Sequence, residues 1–231
     1  VAGCGRGSAD LQAGTMAAAY RSPLGATEEY VKVVRALLDG EPVAHESEYF
    51  TAMGRLLPVP APPVEIGVGV LRPGMAKAAG RVADVAVTWL APHWYLRDVL
   101  RPALAEGAAA VGRKEPRVVS VVHVAVARSA RNLRRTVLAA VGPHLSAVHY
   151  TDMLRRAGVE VDRRDPVRGA EALLDAKVFV TGTPAEIAEE LDRYRAAGVD
   201  EVVLNVGGVY ATEGEASALR DLRDIARAER E

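Results

Sequence analysis

Apolar residues along this chain fall into two patterns. Short unbroken runs at residues 64–70, 82–90, 118–127 and 199–206 read as strands, and residues 177–181 as a further short one. The run at 118–127 is nearly continuous Val and Ala, as a strand buried on both faces requires. Between the runs, apolar residues recur at spacings of three and four. Tyr30, Val33, Val34, Leu37 and Leu38 make one stripe of a helix predicted over 27–39, stopped by Gly40. Further helices are predicted over 73–81 (closed by Gly80), 92–111, and 130–157 with a break near Pro143. Thr183, Pro184 and Glu186 spell a capping box that opens another, ended by Gly198. Gly207 and Gly208 read as a turn into a last helix with Leu219, Leu222 and Ile225 on one stripe. Residues 1–7 read as the end of a strand running into a glycine-rich turn. Residues 41–63, rich in proline, read as loop, and the charged residues 158–176 as a surface excursion.

Strand and helix therefore alternate, which implies right-handed crossovers and a parallel sheet. The expectation is an α/β protein of the (β/α)8 TIM-barrel type forming one domain over residues 1–231. Five or six strands against the eight of a closed barrel make it incomplete, with about three βα units missing from the front.

Composition changes this picture little. The chain has 231 residues, 49% hydrophobic and 26% charged, enough to bury a core. A net charge of −1 gives no basic footprint for nucleic acid or an anionic membrane surface. No apolar run reaches the roughly 20 residues of a membrane span. The first residues carry no signal-peptide core, and Cys4 is the sole cysteine. These features fit a cytoplasmic protein, and the Ala, Val, Arg and Gly content fits a bacterial one.

Four segments then carry a likeness. They are Ala2-Gly3-Cys4-Gly5-Arg6-Gly7 with Glu29-Tyr30-Val31 and residues 35–43; residues 63–69 with Ala79-Gly80-Arg81-Val82-Ala83-Asp84; Thr88-Trp89-Leu90-Ala91-Pro92 with residues 101–104 and Gly112-Arg113; and Gly182-Thr183-Pro184 with residues 197–204. In order and spacing the chain resembles the luciferase-like monooxygenase superfamily, which includes bacterial luciferase, flavin-dependent monooxygenases and reductases using coenzyme F420. The resemblance implies an oxidoreductase acting on a small organic substrate, with coenzyme F420 or FMN as cofactor and a homodimer as the assembly. F420 would carry hydride to or from carbon, whereas reduced FMN would activate oxygen. A flavin-binding protein without turnover, or an inactive shortened barrel, is the alternative.

Barrel sites lie at the C-terminal ends of strands, and glycine lets backbone N–H groups approach a phosphate closely. Gly5, Gly7, Gly67 and Gly69 are placed there. By resemblance Arg6 contacts cofactor phosphate, and Val70 and Leu71 contribute backbone groups. Arg72 stands where deazaflavin members often carry glycine, so it either strengthens phosphate binding or blocks the loop. Trp89, at a strand end, is either packing or a cofactor wall. His123 reads as a hydrogen-bonded core histidine, with proton donation to a deazaflavin as the alternative. His45, His93, His144 and His149 show no metal-ligand spacing, and in one helix His144 and His149 would face different ways. No residue is assigned as the catalytic acid or base.

Overall fold

The valine-rich run forms strand β6, Arg117–Val126, ten residues long. Val118, Val122, Val124 and Val126 are all buried, as a strand covered on both faces should be. The computed structural model describes residues 1–7, 12, 14, 19–57, 60 and 62–230. These divide into two units, Val1–Val87 with Leu100–Arg117 and Thr88–Val99 with Val118–Glu231.

In the first unit, β1 (Ala2–Cys4), β4 (Ile66–Gly69) and the start of β5 (Val85–Trp89) run parallel, with Cys4 opposite Val68 and Gly69 opposite Val87. Helix α1 spans Pro23–Leu38, four residues earlier than its apolar stripe suggested. Ser22 caps it, its Oγ accepting from the Gly25 N–H at 3.2 Å, and Pro23 suits the first turn. Its buried residues are Ala26, Thr27 and Val31, whereas Tyr30 is 44% exposed.

Helix α2, Pro73–Val82, packs on α3, Arg101–Ala109. Gly80 does not close α2 but lies buried inside it. A Cβ at Gly80 would meet the Leu104 carbonyl and, at 2.8 Å, the Ala108 nitrogen; one at Gly107 would meet the Lys77 backbone. The two glycines thus let the helix backbones touch. Asp84, just before β5, accepts from the Ile66 N–H at 2.9 Å, from Arg113 at 3.2 Å and from Arg35. It pins the start of two strands.

The reading of 41–63 as loop is corrected. Val43–Glu46 (β2) and Thr51–Gly54 (β3) form an antiparallel hairpin. Pro42 precedes it and the other prolines of the segment follow it, so none removes a ladder donor. Ser47 closes the turn, its Oγ accepting from Tyr49 and Phe50 N–H at 3.0 and 3.2 Å.

In the second unit, β6 pairs in parallel with β7 (Phe179–Gly182) and β8 (Glu201–Asn205). Helices α4 (Leu133–Ser146) and α5 (Val148–Arg156) break at Ala147, in extended conformation, rather than at Pro143. The segment 158–176 is not a mere surface excursion. Asp165 caps α6, Pro166–Asp175, which buries Gly169, Ala170 and Leu173. The capping box at Thr183 and Glu186 opens α7, Pro184–Ala196, and Gly198 at φ 86° ends the turn after it. Gly207 and Gly208 are the first turn of α8, Gly207–Glu213, and a Cβ at Gly208 would meet the Thr136 carbonyl oxygen. The last helix, α9 (Glu215–Ala228), buries Ala218, Asp221 and Ile225 rather than Leu219, which is 40% exposed.

The fold is α/β with parallel strands, of the (β/α)8 barrel type, and six strands in parallel sheet are found among the described residues against the eight of a closed barrel. No described helix is long and apolar enough to cross a membrane.

Candidate functional site

In the first unit, β1 ends at Cys4 and the chain turns outward through Gly5, Arg6 and Gly7. Gly7 has φ 68°, a left-handed conformation that favours glycine. These residues line a cleft of about 390 Å³ whose other walls include Gln12, Tyr20, Thr27, Tyr30 and Phe50. Gln12 braces the turn, donating from Nε2 to the Arg6 carbonyl at 2.5 Å and accepting the Tyr20 N–H at 3.1 Å. The rings of Tyr20 and Phe50 meet at 5.6 Å and those of Tyr30 and Phe50 at 5.7 Å. The cleft therefore joins glycine backbone and one guanidinium to an aromatic wall. Burial raises the Cys4 thiol above its ordinary value, so it is a thiol at neutral pH.

The residues expected to hold a cofactor are distributed unevenly. A Cβ at Gly5 would meet nothing within 4 Å, so its backbone stands open. Gly69 is exposed at the end of β4, 3.7 Å (from an ideal Cβ) from the Cys4 carbonyl. Gly67 is buried within the strand, and its missing side chain is replaced by Val1 and Val87 methyls at 3.0 and 3.4 Å, so strand packing accounts for this glycine. Val70 is buried, and its N–H donates to the Val87 carbonyl at 2.8 Å. Leu71 and Arg72 are half-buried and lead into α2. Gln12, Tyr20 and Phe50 gave no sequence signal, and Tyr30 read as core because it shares a helical stripe with valines and leucines.

Trp89 belongs to the second unit. It stands half-buried at the end of β5, directly before Leu90, a buried non-glycine residue at φ 56°. One side of Trp89 borders an apolar groove of about 420 Å³ with Val121, Val203, Tyr210 and Leu222. It also makes ring contacts with two histidines. The Trp89 ring meets His123 edge-on at 5.2 Å and stacks on His144 at 5.6 Å, and His123 stacks on Phe179 at 6.1 Å. His144 and His149, on separate helices, both contact the Tyr150 ring.

His123 is buried, as expected, but is not hydrogen-bonded: neither ring nitrogen has a partner among the described residues. Burial, helped by nearby His144, pushes its pKa down to about 4, so the ring is neutral at physiological pH. His144 is lowered too, by burial and then by His149. Among the described residues no group of three His, Cys, Asp or Glu could hold a metal ion.

Comparison with known proteins agrees with this architecture. The family model for luciferase-like monooxygenases matches residues 1–201. The chain belongs to the luciferase-like monooxygenase family. Over 194 residues it is 28% identical to an F420-dependent glucose-6-phosphate dehydrogenase of Nakamurella multipartita, covering 78% of this chain and 54% of that protein. It is 24% identical over 206 residues to a 5,10-methylenetetrahydromethanopterin reductase of Archaeoglobus fulgidus, covering 80% and 60%. The chain thus spans little more than half the length of these relatives. Among solved structures, an F420-dependent secondary alcohol dehydrogenase in complex with an F420-acetone adduct superposes with a TM-score of 0.69 at 20% identity, over 99% of this chain and 69% of that one. The FMN-bound oxygenating constituent of 3,6-diketocamphane monooxygenase from Pseudomonas putida gives 0.63 at 19%, over 98% and 70%. At these identities the structural likeness carries the fold alone.

Proposed function

We propose that this chain is the cofactor-holding part of an oxidoreductase that binds coenzyme F420 or FMN and acts on a small organic substrate. One observation carries the reading: the open Gly5-Arg6-Gly7 turn shares a cleft with Tyr20, Tyr30 and Phe50. An exposed backbone with a cation suits a phosphate, and aromatic faces suit a flat ring. Gly5 and Gly7 would offer N–H groups, Arg6 a charge-assisted hydrogen bond, and Gly69 close approach from β4. The bound group would supply the hydride or oxygen chemistry; the protein would position it and keep water out.

F420 is favoured over FMN, because the relatives recognised by sequence include an F420-dependent dehydrogenase whereas the FMN enzymes are matched by fold. The contributions of Leu71 and Arg72 and a homodimeric assembly extend the same proposal by resemblance. Titrating the purified chain anaerobically with reduced F420 and with reduced FMN tests it. Saturable binding of F420, weakened about tenfold or more in Arg6→Ala, is the expected result. Binding of neither cofactor would overturn the proposal.

A further inference from the structure

A second set of polar groups lies in the other unit, and the cofactor reading does not use it. Trp89 Nε1, both ring nitrogens of His123, His144 Nδ1 and Thr181 Oγ1 are buried without a hydrogen-bond partner among the described residues. They belong to one neighbourhood. The His123 ring touches those of Trp89 and Phe179 and lies 6.5 Å from that of His144. His123 pairs with Phe179 across the parallel ladder, and Ala125 with Thr181. Side chains two residues apart on a strand share a face, so Thr181 lies on the His123 face one step toward the strand ends.

Leaving such groups unpaired in an interior is costly, because each gives up its hydrogen bonds to water and gains none in return. The neighbouring positions of β6 are valines, so an apolar residue at 123 would avoid that cost. Native interiors rarely keep several unpaired groups side by side unless something else bonds to them. We propose that Trp89, His123, His144 and Thr181 form a binding site for a small uncharged organic molecule bearing a hydroxyl or carboxamide group.

The donor set gives the chemistry. An indole N–H only donates. A neutral imidazole donates from one nitrogen and accepts at the other, and a threonine hydroxyl does either. The complement must both accept and donate, as a hydroxyl or a carboxamide does. Neither imidazole carries a charge at neutral pH, since burial holds both below the ordinary histidine value. A charged ligand would be desolvated here with no ion to compensate it.

The two tryptophans make this testable without any cofactor. Trp94 is the built-in reference, because its indole N–H donates to the Ala157 carbonyl at 2.8 Å. In the 15N-labelled chain two indole signals are followed by NMR, assigned with Trp89→Phe, while acetamide or 2-propanol is added. Sodium acetate and methylammonium chloride are the charged counterparts. The expected result is a saturable shift of the Trp89 signal with the uncharged probes alone and an unmoved Trp94 signal. Thr181→Val, which exchanges only a hydroxyl for a methyl, should weaken the apparent affinity about three- to tenfold. His123→Phe should weaken it further, and an unchanged Trp94 signal certifies the fold of each variant. The proposal is overturned if Trp89 does not respond saturably, if the charged probes act equally, or if Thr181→Val binds as well as the parent. Because the probes need no redox ring, failure here leaves the cofactor proposal standing, and the reverse holds too.

Discussion

Arg131 sets its guanidinium against the Asp221 carboxylate where neither side chain is more than 1% exposed. Asp221 also accepts from the Val126 N–H at 3.0 Å and from Arg128 at 2.8 Å, while Arg131 donates to the Val126 carbonyl at 2.6 Å and to Glu213 at 2.6 Å. The end of β6, the loop after it and the last two helices are tied together by one acid and its cations.

Removing that acid leaves Glu213 alone to compensate the buried Arg131 and takes the acceptor from the Val126 N–H. Asp221→Ala is expected to cost on the order of 3–5 kcal/mol, lowering the melting temperature by roughly 10 °C. Glu229, on the exposed side of the same helix region, pairs with a half-exposed Arg195. Glu229→Ala should change stability by less than about 1 kcal/mol. Urea denaturation of the two variants side by side checks the contrast; equal costs would show that the network carries no special weight.

Glycine has a different use at Gly80 and at Gly142. Gly80→Ala forces a methyl into the α3 backbone and is expected to destabilise by about 1–3 kcal/mol or more. Gly142, inside α4, has nothing within 4 Å of a Cβ. Gly142→Ala should stabilise by about 0.5–1 kcal/mol through helix propensity. Chemical denaturation midpoints should therefore move in opposite directions.

Gly5→Ala separates binding from folding. The added methyl meets no protein atom, so the melting temperature should stay within about 1–2 °C of the parent. If backbone approach at this turn holds the cofactor, affinity for reduced F420 should fall at least about tenfold. Unchanged affinity would remove Gly5 from the proposed site.

Acid should act through His123. The unfolded ring protonates near 6.5 and the folded one only near 4. Between these values the unfolded chain binds the extra proton, so the contribution is fully present above pH 6.5 and is lost as pH falls toward 4. Its size is about 3 kcal/mol. The neighbouring His144 acts in the same direction, and carboxylates elsewhere add their own loss. The informative quantity is therefore the difference between parent and His123→Phe, whose stability should decline less from pH 7 to pH 4.5. Parallel pH profiles would contradict a neutral buried ring.

Much of the scaffold was legible because its signals are local. Thr183 and Glu186 sit three residues apart with Pro184 directly after the threonine, a pattern that serves a helix start and little else, and the valines of β6 announce a strand covered on both sides. The hairpin was hidden because the prolines after it coloured the whole stretch as loop, while its register depends on Ser47 folding back on its own turn. Asp221 was hidden for the opposite reason. On a helix an acid reads as solvent-facing, and only the distant Arg128 and Arg131 reverse that expectation. At the candidate site, Gly5, Arg6 and Gly7 were visible as a motif. Gly67 looked the same in sequence, but its space is filled by Val1 and Val87. His144 and Thr181 join Trp89 and His123 only through long-range pairing, which spacing along the chain does not encode.

Leu90 keeps a left-handed backbone although it carries a full side chain and lies buried. Such a joint behaves like a wound spring held shut by its surroundings, storing on the order of 1 kcal/mol. Glycine there would relax the spring yet widen the swing of the indole just before it. The leucine thus trades local comfort for a fixed aim of Trp89, and a looser hinge would blur whatever that ring faces.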